Sequence, residues 1–468
     1  MLARFAFAVA ALAAATLPLG SASAQMPIPP LQPDPGEGIF LLMTDIHFDP
    51  FAEPSLVPEL DRNPVSKWPE IFKNAGMSIQ PYGQDSGYAL TTSALGAAAA
   101  QGMTYDYVLY TGDYLSHGFN ANYRRLAGPS PQGLASFAVK TAQFGFHLLS
   151  GTFTEIPIFG VMGNTDSVCG DYEIAPNSAF IHGIAGQWAQ LSGQPERFSQ
   201  FRTGGFYKAA HPTVADQDLI VLNNIFWTPR YKDTCNADGG DPGSAMLSWL
   251  DWQLYQTRQA GRKAQILMHV PPGINAYSTT HRSGACEARV SSFWRDPFAD
   301  DFLALMRKYA GTVDYTFSGH THMDSFTVIR DSDGTPLIAS EIAPSVSPIF
   351  GNNPAFTAFL YDRQTGAVKD SATFYLSNLE AAAKGAEPEW RLEYVYSKTY
   401  STTDLSPASR ADVAERISND APLRQQFSAL YAVKAEKKQV DPSNWKAFSC
   451  AQTATSREAY TACYCAGQ

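Results

Sequence analysis

The sequence predicts an α/β fold, and three observations predict it. Apolar residues make up 45% of the 468 and charged residues 17%, which supports a large packed core and excludes a disordered chain. Short uninterrupted apolar runs recur, the pattern of strands buried on both faces. Helical periodicity and helix-start signals fall between them, so strands alternate with helices. The length allows one large domain or two ordinary ones.

The elements follow in order. Residues 1–24 read as a cleaved signal peptide. Arg4 supplies the early positive charge, an apolar run covers 5–19, and Ala22 and Ala24 form a small-residue cleavage site before Gln25. The run is too short to span a bilayer, and no later stretch reaches about 18 apolar residues. The expectation is a secreted or periplasmic/extracellular protein with no integral membrane segment after cleavage. In that setting the six cysteines (Cys169, Cys235, Cys286, Cys450, Cys463 and Cys465) are disulfide candidates in a pairing the sequence leaves open. Five prolines from Pro27 to Pro35 mark residues 25–37 as an extended linker.

Each apolar run then stops at polar residues. Residues 39–43 lead to Asp45 and His47, 107–110 to Gly112 and Asp113, 156–161 to Gly163 and Asn164. Residues 219–222 lead to Asn223 and Asn224, 266–268 to His269, and 313–317 to Gly319, His320, Thr321 and His322. Asp241-Pro242 opens a helix carrying Met246, Leu250 and Leu254. Asp296-Pro297 opens another, ended by Gly311. After Asp324 the pattern suggests antiparallel strands at 325–330, 336–340, 356–362 and 368–376, with hairpin-like turns at 331–334 and 362–366. Residues 390–397 add one more strand. From about Leu405 the chain turns helical and polar and ends in the cysteine cluster.

In such sheets chemistry sits just past the strand ends. There stand Asp45, His47, Asp113, Asn164, His269, His320 and His322. Each alone has a bland reading, as a hydrogen-bonded structural histidine or a turn aspartate. Together they form a ligand set: one bridging carboxylate serves two ions, and the other six residues split three and three, as in two-metal hydrolases. Net charge is −10 with no Lys/Arg-rich run, which excludes a duplex nucleic-acid binder and disfavours strong attachment to an anionic membrane.

The blocks Asp45-Ile46-His47, Gly112-Asp113, Gly163-Asn164, His269 and Gly319-His320-Thr321-His322, in this order, resemble the calcineurin-like metallophosphoesterase superfamily. Further features narrow the resemblance to its acid sphingomyelinase-like phosphodiesterase branch, without a saposin domain. They are His117 four residues after Asp113, the segment His269-Val270-Pro271-Pro272-Gly273, and Asp324-Ser325-Phe326 after the last histidine. The resemblance runs from about residue 38 to the C-terminus. It implies a four-layer α-β-β-α sandwich over 38–398 and a small, mostly helical, Cys-containing subdomain over 399–468. It implies two divalent metal ions, one held by Asp45, His47, Asp113 and His322, the other by Asp113, Asn164, His269 and His320. Zinc is favoured, because Tyr114 directly follows Asp113 and so misses the spacing of an iron-binding tyrosine; manganese or iron also suit the donors. The implied activity is phosphodiester hydrolysis by in-line attack of a bridging hydroxide, with His117 protonating the leaving oxygen. The implied partner is a small-molecule or lipid phosphoester. Substrate-binding residues are left unassigned.

One departure bears on substrate. Gly163-Asn164-Thr165-Asp166 carries Thr165 where the superfamily usually has histidine. Either His117 suffices as the acid and Thr165 tunes substrate fit, or the leaving group needs little protonation. The second option points to a nucleotide or polyphosphate hydrolase on the same scaffold. Asp166 and Asp171 read as turn residues, and Cys169 as a disulfide partner.

Overall fold

A computed structural model describes residues 29–235 and 239–467. The expected signal peptide and the first part of the expected linker lie outside the described residues. The linker ends earlier than expected, because Glu37 already opens the first strand and pairs with Lys369 at its side.

The described residues hold twelve strands in two six-stranded sheets. The first contains β1 (Glu37–Met43), β2 (Tyr107–Tyr110), β3 (Ile158–Gly160), β10 (Ala355–Asp362), β11 (Val368–Leu376) and β12 (Trp390–Val395), in the order β12-β11-β10-β1-β2-β3. The second contains β4 (Tyr207–Ala210), β5 (Gln217–Val221), β6 (Lys263–Leu267), β7 (Val313–Ser318), β8 (Ser325–Arg330) and β9 (Pro336–Ile342), in the order β4-β5-β6-β7-β9-β8. Parallel pairing joins β1 to β2 and β2 to β3, and likewise β5, β6, β7 and β9 in turn.

The strands expected to form one antiparallel group after Asp324 divide between the sheets. β8 and β9 form a hairpin in the second, and β9 also runs parallel to β7. β10 to β12 join the first, antiparallel to β1. Both expected turns close hairpins, with Gly334 donating to the Asp331 carbonyl and Gly366 to the Asp362 carbonyl. The short edge strand β4 carries too weak a sequence pattern to be foreseen.

The sheets pack face to face through buried aromatic rings. Phe40 of β1 stacks on Tyr107 and Phe359 within its own sheet, at 4.8 and 5.0 Å, and meets Phe317 of β7 edge-on at 5.4 Å. Helices Tyr88–Ala99, Pro131–Thr152 and Ala179–Leu191 cover the outer face of the first sheet. Helices Pro242–Gln259, Pro407–Asn419 and Trp445–Thr453 cover that of the second, with Phe298–Lys308 packed beside the first of these. The result is the four-layer α-β-β-α sandwich with a helical C-terminal region. Asp241 caps its helix as expected, accepting from the Gly243 and Ser244 amides at 3.0 and 3.2 Å. The cysteines pair as Cys169–Cys235, Cys286–Cys465 and Cys450–Cys463. No helix among the described residues is long and apolar enough to cross a membrane.

Candidate metal centre

All seven expected ligands meet at one end of the sandwich. Asp45 and His47 follow β1, Asp113 follows β2 and Asn164 follows β3. His269 follows β6, and His320 and His322 follow β7. The first four come from one sheet and the last three from the other. Backbone bonding continues past the strands to hold them: the Asp45 amide donates to Gly112, the His47 amide to Asp113 and the Gly319 amide to His269. Five of the seven (Asp45, His47, Asp113, His320 and His322) have φ between +46° and +70°. This left-handed region costs a non-glycine residue roughly 1 kcal/mol or more. The glycines beside them are there for space. A methyl on Gly163 would collide with the Asp113 carboxylate, and one on Gly319 with Thr44 and Asp45.

The histidines are oriented from behind. Nδ1 of His47 lies 2.9 Å from the Leu115 carbonyl, that of His269 2.8 Å from Thr111, and that of His322 3.3 Å from Ser347. A carbonyl only accepts, so each Nδ1 carries the proton and each Nε2 turns a lone pair inward. Nε2 of His47 and Nε2 of His322 lie 3.2 Å apart, a repulsive approach unless a cation or proton lies between them. Beside them the buried Asp45 Oδ1 has no hydrogen-bond partner, although it lies 3.4 Å from His322 Nε2. Asp113 Oδ2 is 3.3 Å from His47 Nε2 and 3.2 Å from His269 Nε2, so this carboxylate touches both groups. Asn164 Oδ1 is 3.1 Å from His269 Nε2. Two clusters result, Asp45–His47–His322 and Asp113–His269–His320. An orphaned carboxylate oxygen and converging imidazole lone pairs fit divalent cations.

Without cations the cluster recruits protons. Burial alone would lower His47 and His269, but the Asp113 and Asp45 carboxylates outweigh it and hold them at about 10 and about 9. Burial likewise opposes ionisation of Asp45, and His322 and His269 overcome it, holding the carboxyl well below its ordinary range.

His117 stands outside the seven. Its ring is 4.1 Å from that of His47, and its side chain is 31% exposed. Nδ1 lies 3.1 Å from both oxygens of Asp85, which also accepts from the His117 amide at 2.7 Å and from Ser347 Oγ at 3.0 Å. Asp85 was not singled out from the sequence, and no motif around it announces the role.

The loop after β3 differs from expectation. Thr165 turns toward Asp113: its amide donates to Asp113 Oδ1 at 2.8 Å, and its hydroxyl lies 3.0 Å from the same oxygen. Asp166, expected to be a turn residue, is fully buried and accepts from the amides of Asp113, Tyr114, Leu115 and Gly163 at 2.7–3.2 Å. Its carboxylate binds the two ligand loops together. Asp171 accepts from Asn164 Nδ2 at 2.7 Å, which leaves Asn164 Oδ1 facing inward. Its other oxygen accepts from Arg230 at 3.0 Å. Cys169–Cys235 joins these two segments.

Beside His320 opens a groove of about 400 Å³, walled by the 272–278 segment and by the C-terminal helices.

Comparison with known proteins identifies what the chain is similar to. A family model described as calcineurin-like phosphoesterase matches residues 39–324. One described as acid sphingomyelin phosphodiesterase C-terminal region matches residues 336–467. Acid sphingomyelinase-like phosphodiesterase 3b of Homo sapiens is 27% identical over 440 residues, covering 91% of this chain and 90% of that protein. Cyclic GMP-AMP phosphodiesterase SMPDL3A of Mus musculus is 28% identical over 394 residues, covering 82% and 81%. Among solved structures, a dimetal phosphatase from Danio rerio matches at a TM-score of 0.41 and 11% identity, covering 72% of this chain and 95% of that one.

Proposed function

This chain belongs to the calcineurin-like phosphoesterase family, in its acid sphingomyelinase-like phosphodiesterase branch, and from that premise we propose that it is a secreted phosphodiester hydrolase working with two divalent ions. Asp45, His47, Asp113 and His322 hold one ion. Asp113, Asn164, His269 and His320 hold the other, and Asp113 is shared. When bound, the cations supply an activated water for in-line attack on phosphorus and positive charge against the phosphoryl oxygens. The observation that carries the reading is the convergence of three inward Nε2 lone pairs on two carboxylates, one with an orphaned oxygen. Zinc is the metal we favour, for its match to imidazole and carboxylate donors. Residues 38–398 form the catalytic domain, and 399–468 form a helical subdomain that walls the groove.

The chain's own residues do the rest. Asp85 keeps the Nδ1 proton of His117 in place, so Nε2 is the nitrogen that carries and releases a proton. His117 gives that proton to the leaving oxygen, a contribution of roughly 10²–10⁴ in rate. Thr165 and Asp166 hold Asp113 and its loop rigid.

A second reading, hydrolysis of nucleotide or polyphosphate anhydrides, is favoured by Thr165, whose hydroxyl is committed to Asp113 and Leu115 and supplies no acid. Phosphorus-31 NMR separates the two. The mature protein is given sphingomyelin, a nucleotide sugar, ATP, polyphosphate and an aryl diester, with and without chelator. Chelator-sensitive diester cleavage supports the first reading. Cleavage confined to anhydrides supports the second. No cleavage after loading with zinc or manganese overturns both.

A further inference from the structure

We infer that Asn224 is a positioning residue for His269: it holds the backbone of that ligand, and through it sets the affinity of the ion His269 shares with Asp113, Asn164 and His320. The inference rests on the two-ion reading above and adds to it a residue outside the ligand set.

Asn223 and Asn224 end an apolar run as the ligands do, yet neither joins the metal cluster. The local topology gives Asn224 another task. β5 and β6 pair in parallel as far as Val221 and Leu267. The Leu222 amide makes one more backbone bond, to the Leu267 carbonyl at 2.9 Å. The chain then leaves the sheet and turns at Asn223 into a short 3₁₀ helix, Asn224–Trp227. The continuation of β6 stays inside, with Met268, His269 and Val270 all buried. On its far side it is still held by β7, the Met268 amide donating to Phe317 and the Gly319 amide to the His269 carbonyl. The departure of β5 leaves the His269 and Val270 amides without a strand neighbour, and a buried amide without an acceptor is costly.

Asn224 takes the place of that neighbour. Its side chain is fully buried. Oδ1 accepts from the His269 and Val270 amides, each at 3.2 Å, and Nδ2 donates to the Val270 carbonyl at 2.5 Å. One side-chain amide thus stands in for a peptide group of the missing strand. Pro271 and Pro272 follow and offer no N–H, so these are the last two amides by which the segment can be gripped before it departs to wall the groove.

The gripped residue is a ligand. Asn224 fixes its backbone, and the Thr111 carbonyl of the other sheet fixes Nδ1 at 2.8 Å. Nε2 then lies 3.2 Å from Asp113 Oδ2 and 3.1 Å from Asn164 Oδ1. Among the described residues, every side-chain hydrogen bond of Asn224 goes to His269 or Val270, and none goes to Asp45, His47 or His322. The adjacent Asn223 is equally buried but donates to the Gly204 carbonyl at 3.0 Å, which makes it the natural control.

Zinc affinity, read by competition with a chelator, tests this without recourse to turnover. Wild-type protein should bind two ions. Asn224→Leu keeps the bulk and removes the acceptor; it should loosen one ion about 10–100-fold and leave the other unchanged. Because Asn224 acts through His269, the same change should cost nothing further in a His269→Ala background and its full amount in a His322→Ala background. Asn223→Ser should lower the melting temperature and move neither affinity. Should Asn224→Leu fail to fold, Asn224→Ala leaves room for water at the two amides and carries the same cycle. Equal loosening of both ions overturns the proposal, as does an undiminished loss in the His269→Ala background or the same loss from Asn223→Ser. Two ions held as tightly in the Asn224 variant as in wild type overturn this proposal alone. Fewer than two ions on wild-type protein overturn the two-ion reading and this inference with it.

Discussion

At the scale of single residues, two of the seven candidate ligands, His47 and His269, double as proton sites. These two histidines hold an extra proton only while cations are absent. His47 sits at about 10 and His269 at about 9, each raised by neighbouring carboxylates against its own burial. Both are therefore charged at neutral pH in the ion-free protein, and cation binding must expel those protons. Calorimetry in buffers of different ionisation enthalpy should show close to two protons released per protein, with affinity weakening as pH falls; zero release would contradict the assignment. The same raised values stabilise the ion-free fold fully below about pH 6.5, the unfolded histidine value. That contribution is lost as pH rises through 9 and 10, so ion-free protein should melt at a lower temperature at pH 10 than at pH 7. Asp85 makes a separate prediction. Asp85→Asn removes the charge that fixes His117, and kcat should fall about 10–100-fold while metal content stays at the wild-type level. The loss should be steeper for alkyl than for p-nitrophenyl leaving groups. An equal loss for both would mean that Asp85 merely supports the loop.

At the scale of elements, the strand ends were legible because each carries its signal locally, as an apolar run stopped by glycine and a ligand. Asp45, Asp113 and His269 are found this way without knowing which strands pair. What could not be read is long-range. Nothing within residues 336–342 says that β9 lies beside β7, because that pairing depends on where the intervening chain packs. Asp85 and Asp171 were illegible as helpers for a similar reason, since each gains its role from a side chain distant in the fold or across a loop. Asp166 looked like a turn residue because its buried partners are all backbone amides, which leave no mark in sequence. The Cys169–Cys235 bond joins two such loops at a separation of 66 residues. Replacing both cysteines by serine should cost about 2–5 kcal/mol. It should also weaken the ion on the Asn164 side more than its neighbour, measurable as one tight and one loosened site in a metal titration. Two equally tight sites would show that the loops hold without the bond.

At the scale of the whole molecule, the C-terminal helices are docked by a buried ion pair. Arg410 of helix Pro407–Asn419 reaches Glu341 of β9 and the Tyr315 hydroxyl, and lies 3.9 Å over the Tyr396 ring. Both charged groups are buried. Arg410→Ala leaves the buried Glu341 without its cation, with the Tyr315 hydroxyl as its remaining donor, and should cost about 3–5 kcal/mol in denaturant unfolding. Arg410→Met combined with Glu341→Gln should cost less than the single change, since no charge is then left alone. A double variant as unstable as Arg410→Ala would trace the loss to packing. The sheets themselves meet at the ligands, four from one and three from the other, with the His320 amide bonded to Asp45 across the gap at 2.9 Å. A metal centre seated there would act as a rivet through a seam. If its escape requires the two halves to slide apart, ion exchange should keep the slow clock of that shearing motion and not the fast one of a surface site.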